Sequence, residues 1–299
     1  GKMSLDVIYA VAAVKYACAE ANYKCGKMSK QVKDLIQKVS LEIMSGKLDK
    51  EFPTCAYQAG AGTQTNMNVN EVIARRGNKI AGKALLHEND HANMSQSTND
   101  VIPTAFNIAA LALLHKQLFP AVDGLIATFK KMEIKYKDVV KLGRTHIQDA
   151  VPITFGQEVS GWRASLENAK AMIEMAATTL YTSSLGATAV GTGSTCPLKK
   201  GYAKYACEAL NKVLKTNKYK VTPNLFQSTW SKDQFVFVSG AIKALAMNLY
   251  KISQDVRFLA SGPRSGFGEI NIPQNEPGSS IMPGKVNPTQ CELMSMACD

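Results

Sequence analysis

Two stretches of this chain place apolar or small residues at alternating steps of four and three over more than three heptads. The first seam runs Phe155, Val159, Trp162, Leu166, Ala169, Ile173, Ala176, Leu180, and the second runs Val238, Ile242, Leu245, Leu249, Ile252, Val256, Leu259. Seams of this length predict long helices that cross at shallow angles in a bundle. The second ends at Ser261-Gly262-Pro263, where glycine and proline stop a helix. A third long helix is expected after Asn99-Asp100, with Pro103 in its first turn and an apolar body from Phe106 to Leu118. Pro120 should end or kink it, with helical register resuming from Ala121 to Val139. Leu5 to Met44 reads as two helices parted near Gly26. Short pieces near Ile147 to Ile153 are the only candidates for strand, so the fold class is all-α. A further helix starts at Pro288 and runs to the chain end, which suggests a fragment of a longer bundle protein.

The 299 residues are 45% hydrophobic, enough for a sizeable core and more than one domain. The most apolar stretch, Ile102 to Ile126, is broken by Asn107, His115, Lys116, Pro120 and Asp123, which argues against a membrane span. Residues 1–6 carry no apolar signal-peptide core. Seven cysteines, odd in number and without a Cys-x-x-Cys pair, disfavour a disulfide framework and fit a reducing compartment. The net charge of +11 raises the question of nucleic acid. Its lysines are dispersed, however, and the modest cluster from Lys199 to Lys220 lacks the interleaved aromatics of single-strand binders. No nucleic-acid partner is expected, and a basic balance suits a small anionic substrate.

Four polar loops interrupt this helical frame. They are Gly60 to Asn70, Asn93 to Asp100, Gly143 to Asp149, and Gly278-Ser-Ser-Ile-Met-Pro-Gly-Lys-Val-Asn287. Each of the first three is read as lying where a helix begins, the third leading into a helix near Pro152. Helix starts offer unpaired N–H groups and a partial positive charge, which suit carboxylates. Ser, Thr, Asn and Asp are also ordinary caps and turn formers, so one such loop would signify little. Four together point to a shared polar site. In the last loop, glycines and prolines can turn backbone N–H groups and the Lys285 ammonium toward one serine, lowering the cost of ionising it.

Other chemistries fit less well. His87-Glu-Asn-Asp-His91 matches the His-Glu-x-x-His zinc pattern, but Asn89-Asp90 favours a turn over the helix that zinc site needs. Gly77 to Lys83 resembles a phosphate loop, yet Ala84 stands where Ser or Thr must bind magnesium. Gly191-Thr-Gly193 is too short for a dinucleotide fingerprint.

Taken together, Gly278 to Pro288, Gly143 to Asp149, Asn93 to Asp100 and Gly62 to Asn68 closely resemble, in order, the motifs of the fumarase/aspartase superfamily. Gly268 to Pro277 and Asn287 to Glu292 look like the class II fumarase branch. The resemblance implies an N-terminal helical domain (1–98) and a central long-helix bundle (99–299), with a short N-terminal region, part of the last helix and a C-terminal domain missing. It implies a homotetramer with composite active sites, a small dicarboxylate substrate, and reversible hydration of fumarate to (S)-malate without metal or organic cofactor. By the same resemblance Ser279 is the base and Ser280 a supporting donor, while Lys285 and Asn287 bind the carboxylate whose charge grows. Thr63, Ser97, Thr98, Asn99 and Thr145 hold the substrate. His146, paired with Glu292, orients water and moves the second proton. His87, Asn89 and Asp90 resemble a second carboxylate site, and the implied location is cytoplasm or mitochondrial matrix.

Departures keep alternatives open. Ala61 stands where fumarases usually carry a substrate-contacting serine, Ser97-Thr98 looks aspartase-like, and Gly191 to Cys196 lacks an asparagine the family normally has. Aspartate ammonia-lyase and an inactive helical paralogue or fragment are the competing readings.

Overall fold

The computed structural model describes residues 1–58 and 62–299; Ala61, and with it the serine-to-alanine departure, lies outside them. The helices are α1 (Leu5–Lys24), α2 (Lys30–Met44), α3 (Thr63–Ala81), α4 (Thr98–Leu113), α5 (Phe119–Lys135), α6 (Phe155–Ala177), α7 (Tyr202–Val213), α8 (Leu225–Trp230), α9 (Asp233–Leu259) and α10 (Thr289–Cys298). Among the described residues, strand is confined to two small ladders beside an isolated Lys2–Cys55 bridge. One is an antiparallel hairpin of β1 (Val140–Thr145) and β2 (Gln148–Thr154); the other is a parallel pair, β3 (Thr182–Ser183) and β4 (Lys220–Val221). The fold is all-α, as the seams imply.

The chain forms two compact units, residues 1–116 with 177–234, and residues 117–176 with 235–299. In the first, α1 is the central helix and packs against α2, α3, α4 and α7. Its alanines let neighbours approach, and Ile8, Val11, Val14 and Ala17 are fully buried. Ser4 and Ser29 cap α1 and α2 by accepting N–H bonds from Asp6 and Val32. In the second unit every position of the Phe155 seam through Ala176 is buried. Trp162 anchors that face, its indole N–H donating to Asp255 Oδ2 of α9 at 2.9 Å and its ring meeting Phe155 edge-on.

Three local expectations need correction. Gly143 to Asp149 does not open a helix: it spans a hairpin turn, and α6 starts at Phe155 rather than near Pro152. A helix through 140–154 would need a residue preceding Pro152 in the α region, which proline disfavours. Helical register after Pro120 ends at Lys135, short of Val139. Pro120 itself sits in the first turn of α5, where its missing N–H costs nothing, and a π-type turn, Leu114–Leu118, precedes it.

Two helical stretches, Thr98–Lys135 and Asp233–Leu259, are long and apolar enough to cross a membrane by length and composition alone. Bundle helices meet the same test. Only 17% of the α9 window is covered within this chain, against 44% for the other stretch, so α9 keeps the less covered apolar surface.

Candidate functional site

In the first unit the site residues gather at the start of α4. Ser97 caps it: its hydroxyl accepts from the Asn99 N–H (3.3 Å), and its own N–H donates to Asp100 Oδ1 (2.9 Å). Asp100 is buried, and its other oxygen accepts the N–H groups of Gly186 (3.2 Å) and Thr188 (2.9 Å). Burial pushes its carboxyl up to about 6, against the opposing pull of those three N–H groups. The Asn99 amide donates to the Ala189 carbonyl at 2.8 Å, so α4 ties down the segment carrying Gly191 to Cys196 from two sides. Gly191 is obligatory there: its φ is +107° and a β-carbon would stand 2.6 Å from Phe226 Cα.

Thr98 and Asn99 line a cavity of about 300 Å³, floored by Ile102, Pro103 and Phe106. Ser97 spends its hydroxyl on the cap, and Thr63 is exposed on the first turn of α3, behind the cavity residue Gly62. Lys232 also lines the cavity, and the sequence reading missed it. Burial lowers its ammonium below the ordinary lysine value, and it donates to the Ser231 and Thr229 carbonyls. The available signal was a lone lysine at the junction of two helix patterns, too weak to single out.

His87, Asn89 and Asp90 share one exposed segment, where Glu88–Ala92 form a single π-helical turn and not the non-helical turn that Asn89-Asp90 suggested. His87 Nδ1 accepts from the Asn89 and Asp90 N–H groups, both at 3.3 Å, and His91 Nδ1 accepts from the His87 N–H at 3.0 Å. Both rings therefore serve the turn's backbone. Among the described residues no group of three or more His, Cys, Asp or Glu could hold a metal ion.

In the second unit, Thr145 closes β1 opposite Gln148, and His146-Ile147 form the two-residue turn with φ of +54° and +62°. Two left-handed residues give the twist a tight hairpin needs, but neither is glycine or asparagine, so the turn is strained. His146 is exposed at its tip and has no hydrogen-bond partner among the described residues. The hairpin base is pinned instead. Arg144 pairs with Glu269 and lies 4.5 Å over the Phe267 ring, while Lys141 bridges Glu158 (2.9 Å) and Glu269 (3.2 Å). Burial pushes the Glu269 carboxyl up, yet Arg144 and Lys141 outweigh it and hold it below the usual carboxylate range.

The Ser279 loop is closed at a neck. Asn287 donates to the Gly278 carbonyl, and Gly278 lies against the Lys285 main chain. Within it, Ser279 Oγ accepts the N–H groups of Ile281 (3.3 Å) and Met282 (3.2 Å). A serine turn looks the same when it is only structural. It is also a nest of donors that would stabilise an alkoxide at Oγ. Ser280 is exposed beside it. Lys285, Asn287 and Glu292 line a groove of about 750 Å³ together with Arg257 and Asn271. Glu292 faces Arg257 Nη2 at 3.9 Å, so within this chain its charged neighbour is an arginine and not His146.

The site residues thus lie in four places, the start of α4 and the His87 segment in the first unit and the hairpin tip and the Ser279 loop in the second. A lyase family model matches residues 1–299, the whole chain. The chain belongs to this lyase family, the fumarase/aspartase superfamily. It is 48% identical to a class II fumarate hydratase of Thermus aquaticus, over 98% of this chain and 63% of that protein. It is 47% identical to one from Neisseria meningitidis, over 98% of this chain and 64% of that protein. The crystal structure of a class II fumarase from Schistosoma mansoni matches with a TM-score of 0.95 at 38% identity, covering 99% of this chain and 66% of that one. The chain therefore spans a little under two thirds of the length of the curated relatives it matches.

Proposed function

We propose that the protein, at its natural length, catalyses the reversible hydration of fumarate to (S)-malate. The observation that carries this reading is the pair of N–H groups converging on Ser279 Oγ in a glycine-necked loop, in a chain so similar to class II fumarate hydratases. In the dehydration direction, ionised Ser279 takes a proton from the carbon beside one carboxylate. The electron pair left behind spreads into that carboxylate as a doubly charged aci-form. Lys285 and Asn287 stabilise that charge with fixed donors, which is the largest single requirement of such a step. The C–O bond then breaks and hydroxide departs, taking a proton relayed by His146 to leave as water, with fumarate as the product. Thr98, Asn99, Thr63 and Thr145 hold the carboxylates and the hydroxyl, with Ser97 fixing the helix start they depend on. Glu292 acts on His146 in the assembled enzyme, and His87, Asn89 and Asp90 offer a second carboxylate site.

The assembly we propose is a homotetramer with composite sites, in which the domains 1–98 and 99–299 play separate parts. Its support is the uncovered apolar surface of α9 and α10: Val236, Phe237, Met247, Phe258, Leu293 and Met296 are all half or more exposed. Formation of fumarate from L-malate, followed by ultraviolet absorbance, tests the activity. Turnover of L-aspartate instead would make the enzyme an ammonia-lyase built on the same base. Silence on both would favour an inactive paralogue.

A further inference from the structure

The first unit encloses one lysine completely. Lys15 lies in α1 among Val11, Val14, Ala12 and Ala19, with no exposed surface. A buried ammonium is costly unless its hydrogen bonds are met. Lys15 meets them on a single segment, donating to Asn93 Oδ1 at 3.0 Å and Gln96 Oε1 at 2.9 Å. Gln96 in turn donates to the Met94 carbonyl, and Asn22 of the same helix donates to that carbonyl and accepts from the Ser95 hydroxyl at 2.8 Å. One face of α1 therefore grips residues 93–96, immediately before the cap of α4.

The grip has a direction. An ammonium only donates, so Asn93 must present its oxygen to Lys15. Asn66, buried in α3, approaches that same oxygen with its amide nitrogen at 3.2 Å. With its NH2 committed there, Asn66 also donates to Thr98 Oγ1 at 3.3 Å. The arrangement carries a visible cost: Asn66 Oδ1 is buried with no hydrogen-bond partner among the described residues. A flipped Asn66 would set oxygen against oxygen at Asn93, so the ammonium decides the orientation even though an acceptor is stranded. Thr98 Oγ1 already receives a hydrogen, so its own O–H is free to point away from Asn66. Thr98 lines the cavity of about 300 Å³ beside Asn99 and Lys232.

We propose that Lys15 is a positioning residue: through Asn93 and Asn66 it holds the 93–98 segment so that the Thr98 hydroxyl donates into the cavity, toward a carboxylate. Lys15 touches no substrate. The direction of one hydroxyl bond is what it supplies, two side chains away. This rests on the dicarboxylate reading above. The charged and titratable groups around it are Cys18 on its own helix and Asp100 at the start of α4, with Tyr202 of α7 and Cys196 beyond them.

The test is a double-mutant cycle in the protein at its natural length. Asn66→Asp is near-isosteric but cannot donate, so Thr98 must turn its hydrogen inward. We expect kcat/KM for L-malate to fall about thirtyfold, mainly through KM. In a Thr98→Val background the same change should cost less than about threefold, because the bond it redirects is gone. Lys15→Met should show the same coupling to Thr98→Val, with thermal melting reporting whether it folds. Independent effects of Asn66→Asp and Thr98→Val, multiplying in the double variant, would overturn the inference. If the wild type turns over neither L-malate nor fumarate, the functional reading fails by itself. Hydrogen exchange then decides the inference: Lys15→Met must speed exchange of the 93–98 amides about tenfold more than those of α2, and equal change would refute it.

Discussion

The main chain at Gly278 runs so close to Lys285 that a β-carbon at position 278 would stand 2.0 Å from the Lys285 carbonyl oxygen. That contact is the neck of the loop that presents Ser279, and only glycine permits it. Gly278→Ala should open the neck and scatter the N–H groups that converge on Ser279. Because the loop is largely exposed, the melting temperature should move by less than about 2 °C while kcat falls about a hundredfold or more. Parallel melting and steady-state kinetics check both halves.

His146 carries backbone strain at the residue proposed to relay a proton. Its φ of +54° is one that glycine or asparagine adopts more easily. His146→Asn should leave stability unchanged or raise it by up to about 1 kcal/mol, while turnover drops roughly 10- to 100-fold. Denaturant titration beside kinetics would show the two quantities moving in opposite senses. Loss of both together would mean that the ring has a packing role.

The Arg144–Glu269 pair holds the hairpin that carries Thr145 and His146. Its side chains are only about a fifth exposed, so it is screened less than a surface pair. Arg144→Ala should cost about 1–3 kcal/mol, since it also leaves Glu269 with one cation fewer. Glu269 has a depressed folded pKa, so its contribution is present above the ordinary carboxylate value and lost as pH falls through the lower folded one. Acid should therefore loosen the hairpin, and the wild-type advantage over Arg144→Ala should shrink below about pH 4.

Lys15 gives a slope of the same sign in a different, alkaline window. Burial pushes its ammonium down to about 7 from 10.5. Between those values the unfolded chain binds the extra proton, so wild-type stability rises with pH across that window. Measured against Lys15→Met, the gain should approach about 1.4 kcal/mol per pH unit in the middle of the window. Below pH 7 both states are protonated and the difference should be flat. Urea titrations at several pH values read it directly. No slope between the two proteins would mean that burial does not lower the Lys15 ammonium and that it stays charged in the fold across the window.

Much of this architecture is legible in the sequence because long amphipathic helices repeat their signal many times. The Phe155 seam is buried at every step through Ala176, whereas α4 begins at Thr98 with Ser97 as its cap, ahead of the start expected after Asn99-Asp100. Only the second strand of the hairpin was anticipated, in the pieces near Ile147 to Ile153, and the rest was hidden for a physical reason. Its strands show no alternation of buried and exposed residues, and its turn is His-Ile rather than the Asn-Gly that announces such turns. The pairing of Glu292 with His146 comes from resemblance alone, and within this chain Glu292 meets Arg257. Lys15 was readable in principle, as the single charge inside the apolar run Val11 to Cys18. Its role was not, because it depends on side chains roughly fifty to eighty residues away that only folding brings together.

The most direct measurement is Ser279→Ala in the protein at its natural length, with turnover of L-malate and dissociation of a dicarboxylate measured side by side. The account predicts that kcat falls about a thousandfold or more while the dissociation constant stays within about threefold, because the hydroxyl matters in the transition state rather than in binding. Turnover within about tenfold of wild type would contradict it and place the base on another residue.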